Sequence, residues 1–492
     1  MTSTELTYRA RLPVTAAEAR AWHDRPGAFE RLTPPWMDVR VAASCGTTAP
    51  GDWKLLKVGV GPFSMGWTLV HRALPEGTDA VGFLDEQRDG PFRAWRHEHR
   101  FTDLDDATSL LEDRLVYQLP LGKTGDTIAG RRVTAQLDDL FRFRHRRSQI
   151  DLQRHAASSG APLAIVVSGA SGLVGRQLVA FLRTGGHTVY RLVRREPAAQ
   201  DEIPWNPRAG EIDAAALEGM DAIVHLAGES IAGGRWTQAR KQRILTSRVD
   251  GTRLLAETIA RLRMPPSVLV SASASGYYGS RGDELLTEDS GSGTGFLADV
   301  CRAWEAEVAP AASAGIRVVS PRFGVVLAGN GGLLKRVTNL FRLGLGGRLG
   351  DGEQYLSWIA LDDLLYVIHR AITDPSLSGP INAVAPHPVT NREFTATLGR
   401  VLGRPAVLPA PESALRLVFG GMADELLLTS QRTIPARLID SGFDFAFPTL
   451  EDALRHELGR ARGFHRSVAT VTAAQYASRL RESDMAEPLD AA

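Results

Sequence analysis

The sequence predicts an α/β protein built on a doubly wound parallel sheet, with a small C-terminal helical cap and a separate α+β domain in front. Three observations carry this. From Leu163 onward, short apolar runs alternate with helix-length segments, the pattern of βαβ units. Residues 1–152 differ in texture, being richer in tryptophan and in short alternating runs. A length of 492 residues accommodates two to four domains at about 150 residues each.

The elements follow in order. "TAAEARAWHDRPGAFERL" (15–32) reads as a helix interrupted at Pro26-Gly27. "FRAWRHEHRF" (92–101) alternates at period two, as a half-buried strand does, and "SLLEDRLVYQL" (109–119) is a second strand. Thr127 to Leu152 reads as one long helix closing the first domain, 1–152. Residues 153–162 contain "RHAASSGAP" and form a linker. The α/β domain spans 163–392, with strands at "LAIVVSG", "TVYRLVR", "DAIVHLAG", "PSVLVSASA" and "IRVVSPRFGVVL". A helical cap on the substrate side spans 393–463. Residues 464–492 read as a tail or a lone helix.

Composition excludes several classes. Hydrophobic residues make up 43% and charged residues 23%, with a net charge of +1, so nucleic acid and anionic membrane are not expected partners. The two cysteines, Cys45 and Cys301, support neither a disulfide framework nor a cysteine-rich zinc module, and suit a reducing compartment. "MTSTELTYRARLPV" lacks an apolar leader core, and no run reaches the roughly 18 apolar residues of a membrane span. The expectation is a cytoplasmic protein with a small-molecule substrate. Nothing in the sequence sets its oligomeric state.

Gly169-Ala170-Ser171-Gly172-Leu173-Val174-Gly175 fits G-x-x-G-x-x-G between a strand and a helix. The first glycine permits a tight turn, the second lets backbone approach a pyrophosphate, and the third lets helix pack against strand. The helix N-terminus then offers free N–H groups to the anion. The strand before, the helix after and the next strand fall where a Rossmann-like βαβ unit requires. That next strand ends in Val193-Arg194-Arg195 with no acid until Glu196. An acid there would suit the ribose 2′-hydroxyl of NAD; arginine suits a 2′-phosphate. The expected cofactor is NADP(H) in preference to NAD.

Together with the glycine turn, "DAIVHLAGES" (221–230), "SVLVSASASGYYG" (267–279), "SPRFGVVLA" (320–328) and "YLSWIALDDLLYVI" (355–368) resemble extended short-chain dehydrogenase/reductases of the nucleotide-sugar epimerase group. "RKQRILTSRVDGTRLL" (240–255) and the segment "GRPAVLPAPESALRLVFGGMADELLLTSQRTIPARLIDSGFDFAFPTLEDAL" narrow the resemblance to an epimerase-like subgroup with a C-terminal helical domain. "RPGAFERLTPPW" (25–36) and "DEQRDGPFRAWRHEHRF" (85–101) resemble the START/polyketide-cyclase helix-grip fold. The resemblance implies that Gly169, Ser171, Gly172, Leu173, Val174 and Gly175 hold the pyrophosphate. It implies that Arg194 and Arg195 meet the ribose phosphate, and that Leu226, Ala227 and Gly228 line the ribose of the nicotinamide half. Ser273, or Ser275 beside it, would hydrogen-bond a substrate oxygen; Pro321 and Arg322 would border the nicotinamide.

The chain departs from that family at the proton relay. A tyrosine and a lysine four residues on are expected; counting back from Glu305 places Leu297 and Cys301 there. Arg248 stands where asparagine is common. Tyr277 and Tyr278 are the substitute candidates for the acid/base role, at the C-terminal end of a strand where ligands bind in open sheets; Arg248 and Arg302 are nearby sources of charge. Packing is the competing reading for both tyrosines. Cys301 reads as a small hydrophobe, and His225 as a core histidine.

In the first domain, Trp36, Trp53, Trp67, Trp95, Phe63, Phe83 and Phe101 are candidates to line an apolar ligand cavity or to fill a core. His97 and His99 share a strand face at i, i+2, yet no further ligand stands at fitting spacing, so no metal is expected. "FRFRHRR" (141–147) places cations near a helix end. The functional expectation is an NADP(H)-dependent oxidoreductase or epimerase-like enzyme acting on a carbonyl or alcohol, with an apolar-ligand domain in front. The alternative is a catalytically retired NADP(H)-binding sensor or scaffold.

Overall fold

The computed structural model describes residues 2–59, 63–158, 160–461 and 466–472. The chain divides into two units, residues 1–159 with 461–492, and residues 160–460.

The first unit runs β1 (Thr2–Leu12), α1 (Ala16–Asp24), α2 (Ala28–Leu32), β2 (Val39–Cys45), β3 (Trp53–Val58), β4 (Met65–Arg72), β5 (Val81–Asp89), β6 (Ala94–Asp103), β7 (Ser109–Gln118) and α3 (Lys123–Ala156). The strands pair antiparallel in the order β2-β3-β4-β5-β6-β7-β1. Thr15 caps α1 by accepting from the Glu18 amide. Gly27 at φ +100 makes the break between α1 and α2, a conformation in which a Cβ would be strained. A bidentate ion pair joins Arg31 of α2 to Asp151 of α3 at 2.8 Å, both side chains fully buried. Trp22, Phe83, Phe101, Leu111 and Leu152 form one apolar cluster. Leu6, Tyr8, Trp95, Leu115, Tyr117 and Phe141 form another.

Two expectations change here. Phe63 is 89% exposed, whereas Phe83, Trp95 and Phe101 are buried. Residues Arg466–Thr472, read as part of a tail or lone helix, form a strand antiparallel to β1. A stretch with a continuous backbone edge beside it is recruited by pairing, which local composition does not reveal. Residues 473–492 lie outside the described residues.

The second unit contains β8 (Ala164–Ser168), β9 (Thr188–Val193), β10 (Glu202–Asn206), β11 (Ala222–His225), β12 (Val268–Ser271), β13 (Arg317–Phe323) and β14 (Gly379–Ala383). They pair in parallel in the order β10-β9-β8-β11-β12-β13-β14. The short strands Glu211–Ile212 and Ser273–Ala274 extend the sheet. Ile165, Val166, Val167, Ile223, Val224, Val268 and Val270 are buried, as strands covered on both faces require. The helices that frame the site are α4 (Leu173–Thr184), α5 (Gln238–Ile259) and α6 (Phe296–Ala306). Beyond β14, the helix Asn391–Leu402 opens with a capping box between Thr390 and Glu393. The helices Glu412–Phe419, Ala436–Asp440 and Leu450–Glu457 follow. No helix among the described residues is long and apolar enough to cross a membrane.

Candidate functional site

The order of the parallel strands reverses at β8, which lies between β9 and β11. Helices on either side of such a point leave on opposite faces and open a crevice at the strands' C-terminal ends. The glycine turn closes β8 there. Gly169 has φ +69, and a Cβ on it would lie 2.8 Å from the backbone carbon of Leu226. A Cβ on Gly175 would lie 2.2 Å from the Gly169 carbonyl oxygen. Side chains at either position would push α4 and the Leu226-Ala227-Gly228 segment away from β8. Buried Ser168 ties the two ends together: its Oγ accepts from the Leu226 amide at 3.0 Å and lies 2.6 Å from His225 Nδ1. Burial holds the His225 imidazole neutral, its pKa down to about 4, as expected of a core histidine.

α4 begins at Gly172 with no side-chain cap, so the first amides of the helix, including those of Leu173 and Val174, face outward without intrahelical acceptors. Ser171 and Gly172 are exposed at the turn. These donors suit a phosphate. At the end of β9 the two arginines separate. Arg195 binds Glu202 through two hydrogen bonds, at 2.6 and 2.8 Å. Arg194 is exposed and has no ion pair among the described residues. Of the pair read as phosphate ligands, only Arg194 is unengaged. Its neighbour is consumed by an acid on β10 that lies seven residues on in sequence.

Deeper along the crevice, a closed polar network occupies the ends of β12, β13 and β14. Ser273 is buried and donates to Glu305 Oε1 at 2.6 Å. Arg322 donates to both oxygens of Glu305, at 2.9 and 2.8 Å, and to the Tyr278 hydroxyl at 2.9 Å. Tyr278 donates in turn to Asn382 Oδ1 at 2.7 Å. Burial disfavours the Arg322 charge, but the hydrogen bonds and charge of Glu305 outweigh it and hold the pKa above the ordinary arginine value. Burial pushes the Tyr278 hydroxyl upward, against the opposing pull of Arg322.

This network engages three of the expected site residues with one another and with Glu305. Ser273 gives its one hydroxyl proton to Glu305. Tyr278 has no exposed surface and is a packed tyrosine with both hydroxyl roles filled. Arg322 is 3% exposed and is held by Glu305 and Tyr278. The unforeseen member is Glu305, a landmark in the sequence whose partners, Ser273 and Arg322, come from two strands. Ser275 is likewise occupied, donating to Gln431 Oε1 at 2.8 Å.

Tyr277 differs. It is half-buried, its ring carries the Arg322 guanidinium 3.5 Å from its centroid, and its hydroxyl has no hydrogen bond among the described residues. Leu297 and Cys301 stand one helical turn apart on α6, and both approach the position of a Cβ on Gly276, at 3.3 and 3.8 Å. Burial pushes the Cys301 thiol up to about 11. Arg248 donates to the carbonyls of Glu229 and Ile244. Arg302 lies on the exposed side of α6, paired with Asp299.

Residues 165–383 match the NAD dependent epimerase/dehydratase family, and residues 410–457 match a domain of unknown function, DUF1731. An epimerase family protein of Mycobacterium bovis is 46% identical over 296 residues, covering 60% of this chain and 98% of the relative. A Corynebacterium glutamicum structure described as a nucleoside-diphosphate sugar epimerase is 35% identical, with a TM-score of 0.76. The match covers 98% of this chain and 94% of that one. A human epimerase family protein, SDR39U1, solved with NADPH, is 34% identical with a TM-score of 0.57, covering 61% of this chain and all of that one.

Proposed function

This chain belongs to the NAD dependent epimerase/dehydratase family, and from that membership we propose that it binds NADP(H) in the crevice above β8 and exchanges hydride with a carbonyl or alcohol substrate there. One observation carries the reading. The uncapped start of α4, set close to β8 by Gly169 and Gly175, faces the same edge of the sheet as the exposed, unpaired Arg194. Phosphate charge fits both.

Gly169, Ser171, Gly172, Leu173, Val174 and Gly175 would hold the pyrophosphate and Arg194 the ribose phosphate. Leu226, Ala227 and Gly228 would flank the nicotinamide ribose. The bound dinucleotide supplies or accepts the hydride. Tyr277 is the hydroxyl left to pass a proton to or from the substrate oxygen, with Arg322 stacked over its ring. Arg322, Glu305 and Ser273 hold Tyr277 in place as positioning residues. The N-terminal unit is read as a START-like helix-grip domain for an apolar ligand, a reading that rests on its element order and its single long α3.

The second reading, a retired NADP(H) sensor or scaffold, draws on Leu297 and Cys301, which supply no proton relay, and on the closure of the Ser273–Glu305–Arg322–Tyr278 network. Titration with NADPH and NADH, followed by a carbonyl panel monitored by nicotinamide absorbance, tests both. NADPH consumption that falls at least tenfold in Tyr277→Phe with affinity intact supports the enzyme. Tight binding with no consumption supports the sensor. Absence of binding to either cofactor overturns both.

A further inference from the structure

The inner face of the first unit's sheet should be apolar throughout, since it packs against helices. It is interrupted. Along β6 the inward residues run Trp95, His97, His99, Phe101; along β7 they run Ser109, Leu111, Asp113, Leu115, Tyr117. The polar residues form a layer between the two apolar clusters. Strand register builds the layer outward: His99 lies opposite Asp113, His97 opposite Asp85, and Asp85 opposite His71 on β4. His71, His97, His99 and Asp113 are each under 7% exposed. Burying two carboxylates and three imidazoles together is costly unless something neutralises and coordinates them.

Their geometry is that of ligands around a shared centre. One donor atom from each of Asp85, His97 and His99 falls within 4.8 Å of the others. His99 Nε2 and Asp85 Oδ2 are 3.5 Å apart, long for a hydrogen bond. Two ligands sharing a tetrahedral ion at bonds of about 2.0–2.1 Å stand roughly 3.3 Å apart. His99 Nδ1 lies 2.7 Å from Asp113 and His71 Nδ1 lies 2.6 Å from Asp85, but neither approach has hydrogen-bond alignment. Asp113 supports the histidines from behind, meeting His97 Nε2 at 2.9 Å and His145 Nε2 at 2.5 Å. A carboxylate behind a ligating imidazole is the usual outer partner at a metal centre. Lys54 Nζ lies 3.1 Å from His71 Nε2, at the margin of the group.

We propose that Asp85, His97 and His99 bind one divalent transition-metal ion, of the zinc or iron(II) class, within the N-terminal sheet. Two imidazoles and a carboxylate are a donor set suited to such an ion, and three protein ligands leave a coordination position for a further molecule. This proposal departs from the expectation drawn from spacing alone. The third ligand is on the neighbouring strand, twelve residues before His97, where hairpin register brings it across.

The full-length chain, without a polyhistidine tag, is analysed for metal by mass spectrometry, then stripped with chelator and titrated with cobalt(II) under visible absorption. One equivalent of bound ion per chain is expected, with ligand-field bands appearing on cobalt addition. Asp85→Asn and His97→Gln should each weaken cobalt binding tenfold or more while near-ultraviolet circular dichroism is retained. Wild-type protein that holds no metal as purified and takes up no cobalt overturns the proposal, a proton on His99 then accounting for the layer. Undiminished binding in the two folded variants also overturns it, by placing the ion elsewhere.

Discussion

At Cys301 a buried thiol stands on α6 beside Gly276. Burial pushes it up to about 11, and it is 4% exposed, so it is a poor nucleophile at neutral pH. Cys45 is exposed. Alkylation of the native protein should therefore label Cys45 within minutes and leave Cys301 unmodified until denaturant is added, as peptide mass spectrometry would read. Labelling of Cys301 in the folded chain would show that α6 opens. Arginine usage gives a second residue-scale test. If Arg194 meets a 2′-phosphate, a charge-assisted contact of about 1.5–3 kcal/mol is at stake. Arg194→Ala should then lower NADPH affinity by roughly tenfold to a hundredfold and leave NADH affinity unchanged. Arg195→Ala, which removes the ties to Glu202 and to the Glu196 carbonyl, should weaken NADPH binding by less. Sequence spacing sufficed to place Leu297 and Cys301 one turn apart on a helix. It did not assign Ser273 or Tyr278, because their partners Glu305 and Asn382 lie 32 and 104 residues away and meet them only when strand ends converge.

At the scale of elements, α3 is fixed by more than its apolar stripe. Arg31 and Asp151 join it to α2 through a bidentate, wholly buried pair. Removing one charge strands the other in the core, at a cost of about 3–5 kcal/mol. Asp151→Asn should lower unfolding free energy by that amount in urea, with a smaller loss on replacing both residues by apolar ones of similar volume. α6 shows the same economy at its start. Glu425 accepts from the amides of Phe296 and Leu297, at 2.9 and 2.8 Å, placing a carboxylate on the positive end of the helix. In the first unit α1, α2, α3, β6 and β7 were readable because each carries its own periodicity or its own stops, as Pro26-Gly27 does between α1 and α2, whereas β1 to β5 were not read. The strand Arg466–Thr472 was not, because its conformation is imposed by the unpaired edge of β1.

At the scale of the molecule, the family's sheet and the domain matched by residues 410–457 share one set of hydrogen bonds. Beyond Glu425, Gln431 accepts from Ser275, the Ile434 carbonyl accepts from Asn382 at 3.0 Å, and Asp363 accepts from the amides of Ala446 and Phe447. A chain ending at Pro409 leaves each of these buried groups without its partner. Such a chain should be insoluble or molten, with loss of near-ultraviolet circular dichroism and of any NADPH binding. A well-folded truncation that binds NADPH would show that the C-terminal segment is dispensable.

The amides of Phe296 and Leu297 therefore carry a consequence for descent. Genes recombine where a cut leaves both products foldable. A crossover between Leu297 and Glu425 would hand one descendant a helix without its cap and the other a cap without its helix. The workable seam lies ahead of Gly160. Lineages can gain or lose the N-terminal unit there, while the stretch from Phe296 to Glu425 passes down as a single heritable block.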